Sequence, residues 1–223
     1  MREQFEGELK DITDQLVEMT RLAGSAVARA TTSLLDADLG LAEGVIAADA
    51  QIDERSAALE EQVQVLLIRQ QPVATDLRVL LTALRMGSEL ERMGDLAMHV
   101  AKLARLRYPN SAIPPELRGT IVEMGQVAEV IVAKAGSVIA GRDLKMATEL
   151  ETDDDVMDAL HRSLFTALLS PDWTYGVEAA VDVTLCSRYF ERFADHAVSV
   201  ARRVVFLVTG ERTFIEPAQL PSK

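Results

Sequence analysis

Two phrases one hundred residues apart decide the fold: ERMGDLA at residues 91–97 and ERFADHA at residues 191–197. A shorter match at an offset of 105 supports them, because VEM at residues 17–19 returns at 122–124. Self-similarity over such a distance indicates two copies of one structural unit. The sequence therefore predicts a tandem repeat of two similar units, each about 100 residues long and large enough to bury a core.

The composition favours helices over strands. Hydrophobic residues make up 48% of the chain but aromatic residues only 4%, whereas a β-sandwich is richer in aromatic and turn residues. Apolar residues recur every three or four positions between Leu16 and Leu35, which is the helical period. Proline is absent before Pro72, and the later prolines fall where helices are expected to end or begin.

We predict an all-α fold of two tandem, pseudo-symmetric, antiparallel three-helix bundles. The expected helices cover about 16–35, 39–71, 72–106, 115–140, 143–169 and 172–209. The paired prolines in the segment 108–115 suit a linker that leads into a helix. The predicted units are a first bundle at 1–107, a linker at 108–115, a second bundle at 116–209 and a loose tail at 210–223.

Charge and hydropathy exclude several classes of function. A net charge of −12 and a pI near 4.7 oppose binding to a phosphate backbone, which requires clustered Lys and Arg. The first residues lack the apolar region of a signal peptide, and no stretch approaches the roughly 18 uncharged apolar residues of a membrane span. We expect a soluble, cytoplasmic protein that does not bind nucleic acid. The single Cys186 suits a reducing compartment and a buried, unreactive position.

Four acidic pairs occupy equivalent places in the two halves. Asp-x-x-x-Asp occurs at Asp49 and at Asp154, and Glu-x-x-x-Asp occurs downstream at Glu91 and at Glu191. Residues four apart share one face of a helix, so antiparallel packing of the last two helices of each half would bring four carboxylates together. Oxygen-only ligand sets suit magnesium, calcium, manganese or iron better than zinc or copper.

The residues alone leave other interpretations open. Acidic pairs on a helix also form ordinary solvated faces, and Arg92 and Arg192 could pair with acids across the bundle. The chain has no Glu-x-x-His pair, which the interior di-metal site of a ferritin-like bundle requires. Any metal is therefore expected near the surface, because the carboxylates point away from the apolar stripe. The repeat counterpart of His196 is Leu96, which favours a boundary role over a ligand role for that histidine.

The segment RQQPVATDLR at residues 69–78, together with the two Glu-Arg-x-x-Asp phrases, resembles the PhoU family over about residues 5–208. The resemblance implies two pseudo-symmetric three-helix bundles that bind surface clusters of iron, magnesium, manganese or zinc. The implied ligands are Asp49, Asp53, Glu91 and Asp95 in the first half and Asp154, Asp158, Glu191 and Asp195 in the second. This chain departs from the family where Leu96 replaces a common His, and where SPDW at 170–173 stands in place of a second Gln-Gln-Pro segment.

In function, the resemblance implies a negative regulator of the phosphate-starvation response that also modulates phosphate uptake. Such proteins are thought to bridge the ATPase subunit of the phosphate ABC transporter and a phosphate-responsive sensor histidine kinase, at the inner face of the membrane. We expect a homodimer with no catalytic residues. The segment 69–78 is expected either to contact a partner through Arg69, Gln70, Gln71, Asp76 and Arg78 or merely to start the third helix.

Two other functions compete with the adaptor. A metal-dependent enzyme would use a carboxylate-bound cation to activate water, and a purely structural helical spacer would need none of the eight acids. The long amphipathic helices offer extended faces for partners, and no strong catalytic constellation occurs in the sequence. These features favour the adaptor.

Overall fold

The computed structural model describes residues 2–211, which form six α-helices, one 3₁₀ turn and no strand. The helices are α1 (Arg2–Asp36), α2 (Leu39–Gln70), α3 (Ala74–Arg107), α4 (Arg118–Gly141), α5 (Leu144–Leu168) and α6 (Gly176–Thr209), with the 3₁₀ turn at Pro115–Leu117. The predicted all-α fold of two three-helix units is confirmed. Of the predicted tail at 210–223, residues 212–223 lie outside the described part of the chain.

Local sequence explains where the helices begin. Asp38 caps α2 by accepting a hydrogen bond from the Leu41 amide, and its repeat counterpart Asp143 caps α5 in the same way. Helix α1 starts well before the expected apolar run because Phe5 and Leu9 extend its apolar stripe and pack against the core. The first helix is therefore longer than the sequence pattern predicted.

The two halves pack against each other through α3 and α6, which run antiparallel. Arg107 near the end of α3 binds Asp182 near the start of α6, with Nε 2.6 Å from Oδ2. Arg78 near the start of α3 lies over the Phe206 ring near the end of α6, 5.8 Å from its centroid. Because α1 also packs against α4, the halves bury one continuous core instead of two separate ones.

Two glycines allow α1 and α4 to approach closely. A Cβ atom on Gly136 would lie 2.5 Å from Thr20 Oγ1, and one on Gly125 would lie 2.6 Å from Thr31 Cγ2. At the offset of 105, Thr20 corresponds to Gly125 and Thr31 to Gly136. The same contact thus occurs twice with the roles of the two halves exchanged, as an approximate two-fold axis between them requires.

Among residues 2–211, one helical stretch, Pro115–Gly141, is long and apolar enough to cross a membrane, and half of its most apolar window is buried inside the protein. Ile121, Met124 and Ile131 on α4 are fully buried. Packing against the other helices accounts for the buried half.

Candidate metal-binding clusters

The structure brings the eight predicted acidic residues together in two groups of four. The first cluster, Asp49, Asp53, Glu91 and Asp95, lies on the seam between α2 and α3. The second cluster, Asp154, Asp158, Glu191 and Asp195, lies on the seam between α5 and α6. The other three carboxylates raise the pKa of Asp49 in the first cluster and of Asp154 in the second, so the four acids of each cluster are electrostatic neighbours.

The first cluster has nearby groups that offset its charge. Ser56 Oγ donates a hydrogen bond to Glu91 Oε2 at 2.9 Å, and Arg92 Nη1 lies 2.5 Å from Asp95 Oδ2. Burial and repulsion from Asp53, Asp95 and Glu91 raise the pKa of Asp49 to about 6, and Lys102 opposes this shift. Arg92 thus has a partner three residues along its own helix, which differs from the alternative of pairing across the bundle.

Helix α3 approaches the first cluster closely at Gly94. A Cβ atom there would lie 2.8 Å from Ile52 Cδ1 and 3.2 Å from Asp49 Oδ1. The equivalent residue beside the second cluster is Ala194, which is fully buried. At this position the second seam therefore contains a methyl group that the first seam lacks.

The second cluster is less well compensated. Burial, followed by repulsion from Asp195, Asp158 and Glu191, raises the pKa of Asp154 to about 7. Burial also raises the pKa values of Glu191 and Asp195. Among the described residues, buried Asp154 Oδ1 and Glu191 Oε2 have no hydrogen-bond donor. Two carboxylate oxygens without a donor carry a desolvation cost that a bound cation would offset.

Of two substitutions between the repeats, one removes a donor from the second cluster. The counterpart of Ser56 is His161, whose Nδ1 lies 3.0 Å from Ser187 Oγ, so this side chain bonds to Ser187 and not to Glu191. The counterpart of Lys102 is Arg202, whose Nε donates to Glu151 Oε1 at 2.8 Å. The second cluster therefore lacks the donor that Ser56 supplies to the first, whereas the charge of Arg202 opposes the raised pKa of Asp154 as Lys102 does that of Asp49.

The donor set suits a hard cation, but the carboxylates are not gathered around one point. Within residues 2–211, no three Asp, Glu, His or Cys side chains are positioned to hold a metal ion together. Arginines hold two carboxylates of the second cluster, because Arg188 binds Glu191 and Arg162 Nη1 lies 3.7 Å from Asp158 Oδ2. Binding of a cation therefore requires these side chains to turn toward it.

His196 takes part in the contact between the two halves. Its Nδ1 lies 2.7 Å from Oε2 of Glu89 on α3, and Arg203 also binds Glu89. Although burial alone would raise the pKa of Glu89, hydrogen bonds from His196 and Arg203 hold it below its usual value. Glu89 could not be identified from the sequence, because nothing in the local pattern links it to partners more than 100 residues away.

The segment 69–78 lies at one end of the first half. Arg69 pairs with Glu8 of α1, Gln71 ends α2 in the left-handed conformation, and Arg78 packs against α6. Asp76 is exposed in the first turn of α3, where an acid favours helix initiation, and Gln70 is half-buried at the end of α2. Two of the five predicted contact residues, Arg69 and Arg78, therefore also have partners within the chain.

Comparisons with known proteins follow the same two-part division. Residues 16–104 and 121–204 each match the family described as "PhoU domain". The chain is 50% identical over 210 residues to "Phosphate-specific transport system accessory protein PhoU homolog 2" of Mycobacterium tuberculosis, covering 94% of this chain and 99% of that protein. It is 32% identical to a PhoU homolog of Rhizobium meliloti, covering 92% and 87% respectively.

Solved structures have the same fold. The crystal structure of PhoU from Pseudomonas aeruginosa superposes with a TM-score of 0.83 at 29% identity, covering 93% of this chain and 100% of that one. The phosphate transport system regulatory protein PhoU from Streptococcus pneumoniae superposes with a TM-score of 0.85 over 95% of this chain and 100% of that one. At 24% identity this second likeness shows the fold alone.

Proposed function

The chain belongs to the PhoU family, and we propose that it regulates phosphate transport as a negative regulator of the phosphate-starvation response. The observation that carries this proposal is the match to the Mycobacterium tuberculosis protein, which is named a phosphate-specific transport system accessory protein and is covered over 99% of its length. Both repeats are included in that match. The regulatory role therefore extends to the whole described chain and not to one shared domain.

In this proposal the protein is an adaptor that modulates phosphate uptake. It contacts the ATPase subunit of the phosphate ABC transporter and a sensor histidine kinase, and through them it lies at the cytoplasmic face of the membrane. Helices of 24 to 35 residues present long surfaces for such contacts. We also propose that the protein acts as a homodimer and has no catalytic activity of its own.

The acidic clusters have a regulatory or structural role in this proposal. The second cluster, and more weakly the first, would hold a divalent or trivalent cation such as iron, magnesium, manganese or zinc through carboxylate oxygens. The bound cation would supply positive charge that offsets the repulsion among the carboxylates. The carboxylates of the second cluster would thereby hold α5 and α6 more firmly together at this seam.

A deletion strain tests the adaptor role. We expect deletion to raise phosphatase expression in high phosphate, and expression of the wild-type chain to restore repression. Crosslinking in phosphate-replete cells should recover the transporter ATPase and the kinase with the protein. Unchanged phosphatase expression after deletion, combined with recovery of neither partner, would contradict the proposal.

The competing enzyme hypothesis has its own test. A metal-dependent turnover that is lost in Glu91→Ala and Glu191→Ala variants would favour an enzyme. If the protein is an adaptor, these variants change regulation or metal content, and no loss of turnover is observed. Retention of full regulation after alanine replacement of all eight acids would instead favour a helical spacer.

A further inference from the structure

An open apolar groove of about 610 Å³ lies on the outer side of the α5–α6 seam. We call it the seam groove; its lining includes Phe165, Leu168, Leu169, Trp173, Val177 and Val181. Leu169 is 82% exposed and Val177 is 81% exposed. A contiguous apolar patch on the surface of a protein marks an interaction site more often than isolated exposed residues do.

The repeat shows that the fold does not require this groove. Leu185 also lines it, and at the repeat offsets the positions of Phe165, Leu169 and Leu185 correspond to Glu60, Gln64 and Arg85 in the first half. Those three counterparts are polar and exposed. The second half therefore has apolar side chains at three solvent-facing positions where the first half has polar ones.

The seam groove and the second cluster lie on the same two helices, with Arg162 and Arg188 between them along the chain. The His161 ring packs edge-on against Phe165, with centroids 4.9 Å apart. On the other side of this contact, the charge of Asp158 acts on His161 and on Glu191. Six acidic residues occur between Glu149 and Asp158, on the same helix as the groove. From Leu169 to Asp154 the seam is about 22 Å long, which equals four turns of helix.

We propose that the seam binds an amphipathic helix of a partner protein, whose apolar side chains fill the groove and whose Lys or Arg side chains lie on the acidic end. Charge complementarity favours this occupant, because the seam is apolar at one end and rich in carboxylates at the other. A second copy of this chain is a poorer match, since it has the same net charge of −12. The inference rests on the proposed adaptor role and assigns the contact surface to it.

A designed peptide tests the seam directly. The probe is a fluorescein-labelled helical peptide of about 16 residues, with Leu at helical spacing in one half and Lys in the other. Binding is measured by fluorescence anisotropy in EDTA, so that no cation occupies the second cluster. We expect saturable binding that weakens in high salt. A matched peptide with Glu in place of every Lys should bind about tenfold more weakly or not at all.

The repeat supplies the variant. Phe165→Glu, Leu169→Gln and Leu185→Arg together give the seam groove the residues found at the equivalent positions of the first half. We expect this triple variant to bind the Lys peptide about tenfold more weakly than wild type. Val130→Gln is the matched control, because Val130 is 50% exposed on α4, outside the residues that line the groove. Circular dichroism melting checks that both variants fold.

Several results would overturn the proposal. In the first, a folded triple variant binds the Lys peptide as tightly as wild type does. In the second, the Glu peptide binds as tightly as the Lys peptide, and in the third, wild type binds no peptide. Self-association of wild type that the triple variant abolishes would assign the groove to a second copy. Binding of wild type, but not the triple variant, to phosphatidylglycerol vesicles in the absence of peptide binding would assign it to a membrane.

Complementation separates this inference from the adaptor role. If the deletion strain responds and wild type restores repression, the adaptor role stands, and the triple variant should then fail to restore repression. Full repression by the triple variant would overturn the seam assignment while leaving the adaptor role intact. A deletion strain without a phenotype would contradict the adaptor role, whatever the peptide result.

Discussion

The first cluster and the second cluster have the same pattern of acids, but only the first has a hydroxyl donor for its glutamate. Ser56 binds Glu91, whereas His161 at the equivalent position binds Ser187 and leaves Glu191 Oε2 without a donor. The counterpart of Ser187 in the first repeat is Gly87, which has no side chain to form a hydrogen bond. A single residue on the adjacent helix thus redirects the donor.

This difference shows that a repeated ligand pattern does not give repeated chemistry. Burial and mutual repulsion raise the pKa of Asp154 to about 7 but that of Asp49 only to about 6. Repulsion among carboxylates that protein donors do not offset favours the binding of a cation. The second cluster should therefore have the higher affinity for a cation, and variants of each cluster test this difference separately.

The largest expected effect is on cation binding. Asp154→Asn combined with Glu191→Gln should weaken binding of Mn²⁺ to the chelator-stripped protein by about tenfold or more, because it removes two charges from the less compensated cluster. The equivalent change in the first cluster, Asp49→Asn with Glu91→Gln, should weaken binding much less. Titration calorimetry compares the two variants, and elemental analysis of protein purified without chelator identifies the native metal. Equal losses in both variants would contradict the contrast.

A smaller effect is expected on stability as pH changes. The pKa of Asp154 is about 7 in the folded chain, above its ordinary value of 3.8, so the folded state binds the proton more tightly. This group therefore contributes stability that is fully present below about pH 4 and is lost as pH rises through about 7. Metal-free Asp154→Asn should lose this pH dependence and exceed wild type by about 1 kcal/mol above pH 7, after allowance for solvent screening.

Thermal unfolding of both proteins in EDTA at several pH values measures this difference. The matched variant Asp49→Asn should show a smaller gain, with its transition near pH 6 in line with the pKa of Asp49. An Asp154→Asn variant that melts below wild type above pH 7 would mean that the carboxylate is stabilised by contacts stronger than the repulsion described above.

The smallest expected effect comes from exchanging the donors. His161→Ser places a hydroxyl where Ser56 stands in the first cluster, so it should bind Glu191 and reduce Mn²⁺ affinity of the second cluster by about threefold. Ser56→Ala should raise the affinity of the first cluster by a similar factor. Ser187→Ala is the control for loss of the histidine contact. If His161→Ser leaves the affinity unchanged, the missing donor does not explain the difference between the clusters.

Much of the fold could be predicted from the sequence, because helical periodicity and the positions of proline are local signals. The acids that share each seam could also be predicted, since spacing of four residues and the repeat offset together place them. Their surroundings could not, because the direction of a donor such as His161 depends on a residue of another helix. The contact of Glu89 with His196 and Arg203 was missed for the same reason.

The seam groove is an intermediate case. Phe165, Leu169 and Leu185 are unremarkable within their own helices, and an apolar residue at such a position is usually assigned to the core. Their polar counterparts Glu60, Gln64 and Arg85 were visible in the sequence. Comparing the two repeats position by position for polarity, and not only for identity, would have indicated an exposed apolar surface before the structure.

The exchanged Thr and Gly contacts between α1 and α4 have a consequence for how the two halves recognise each other. Each contact pairs one bulky residue with one glycine, Thr20 with Gly136 and Thr31 with Gly125. If two copies of the first half packed together in this way, threonine would meet threonine and the side chains would clash. Two copies of the second half would place glycine against glycine and leave a gap. Each half therefore packs better against the other half than against a second copy of itself. The two-fold symmetry of the fold is kept, but the residues at this contact fit only the pairing of unlike halves.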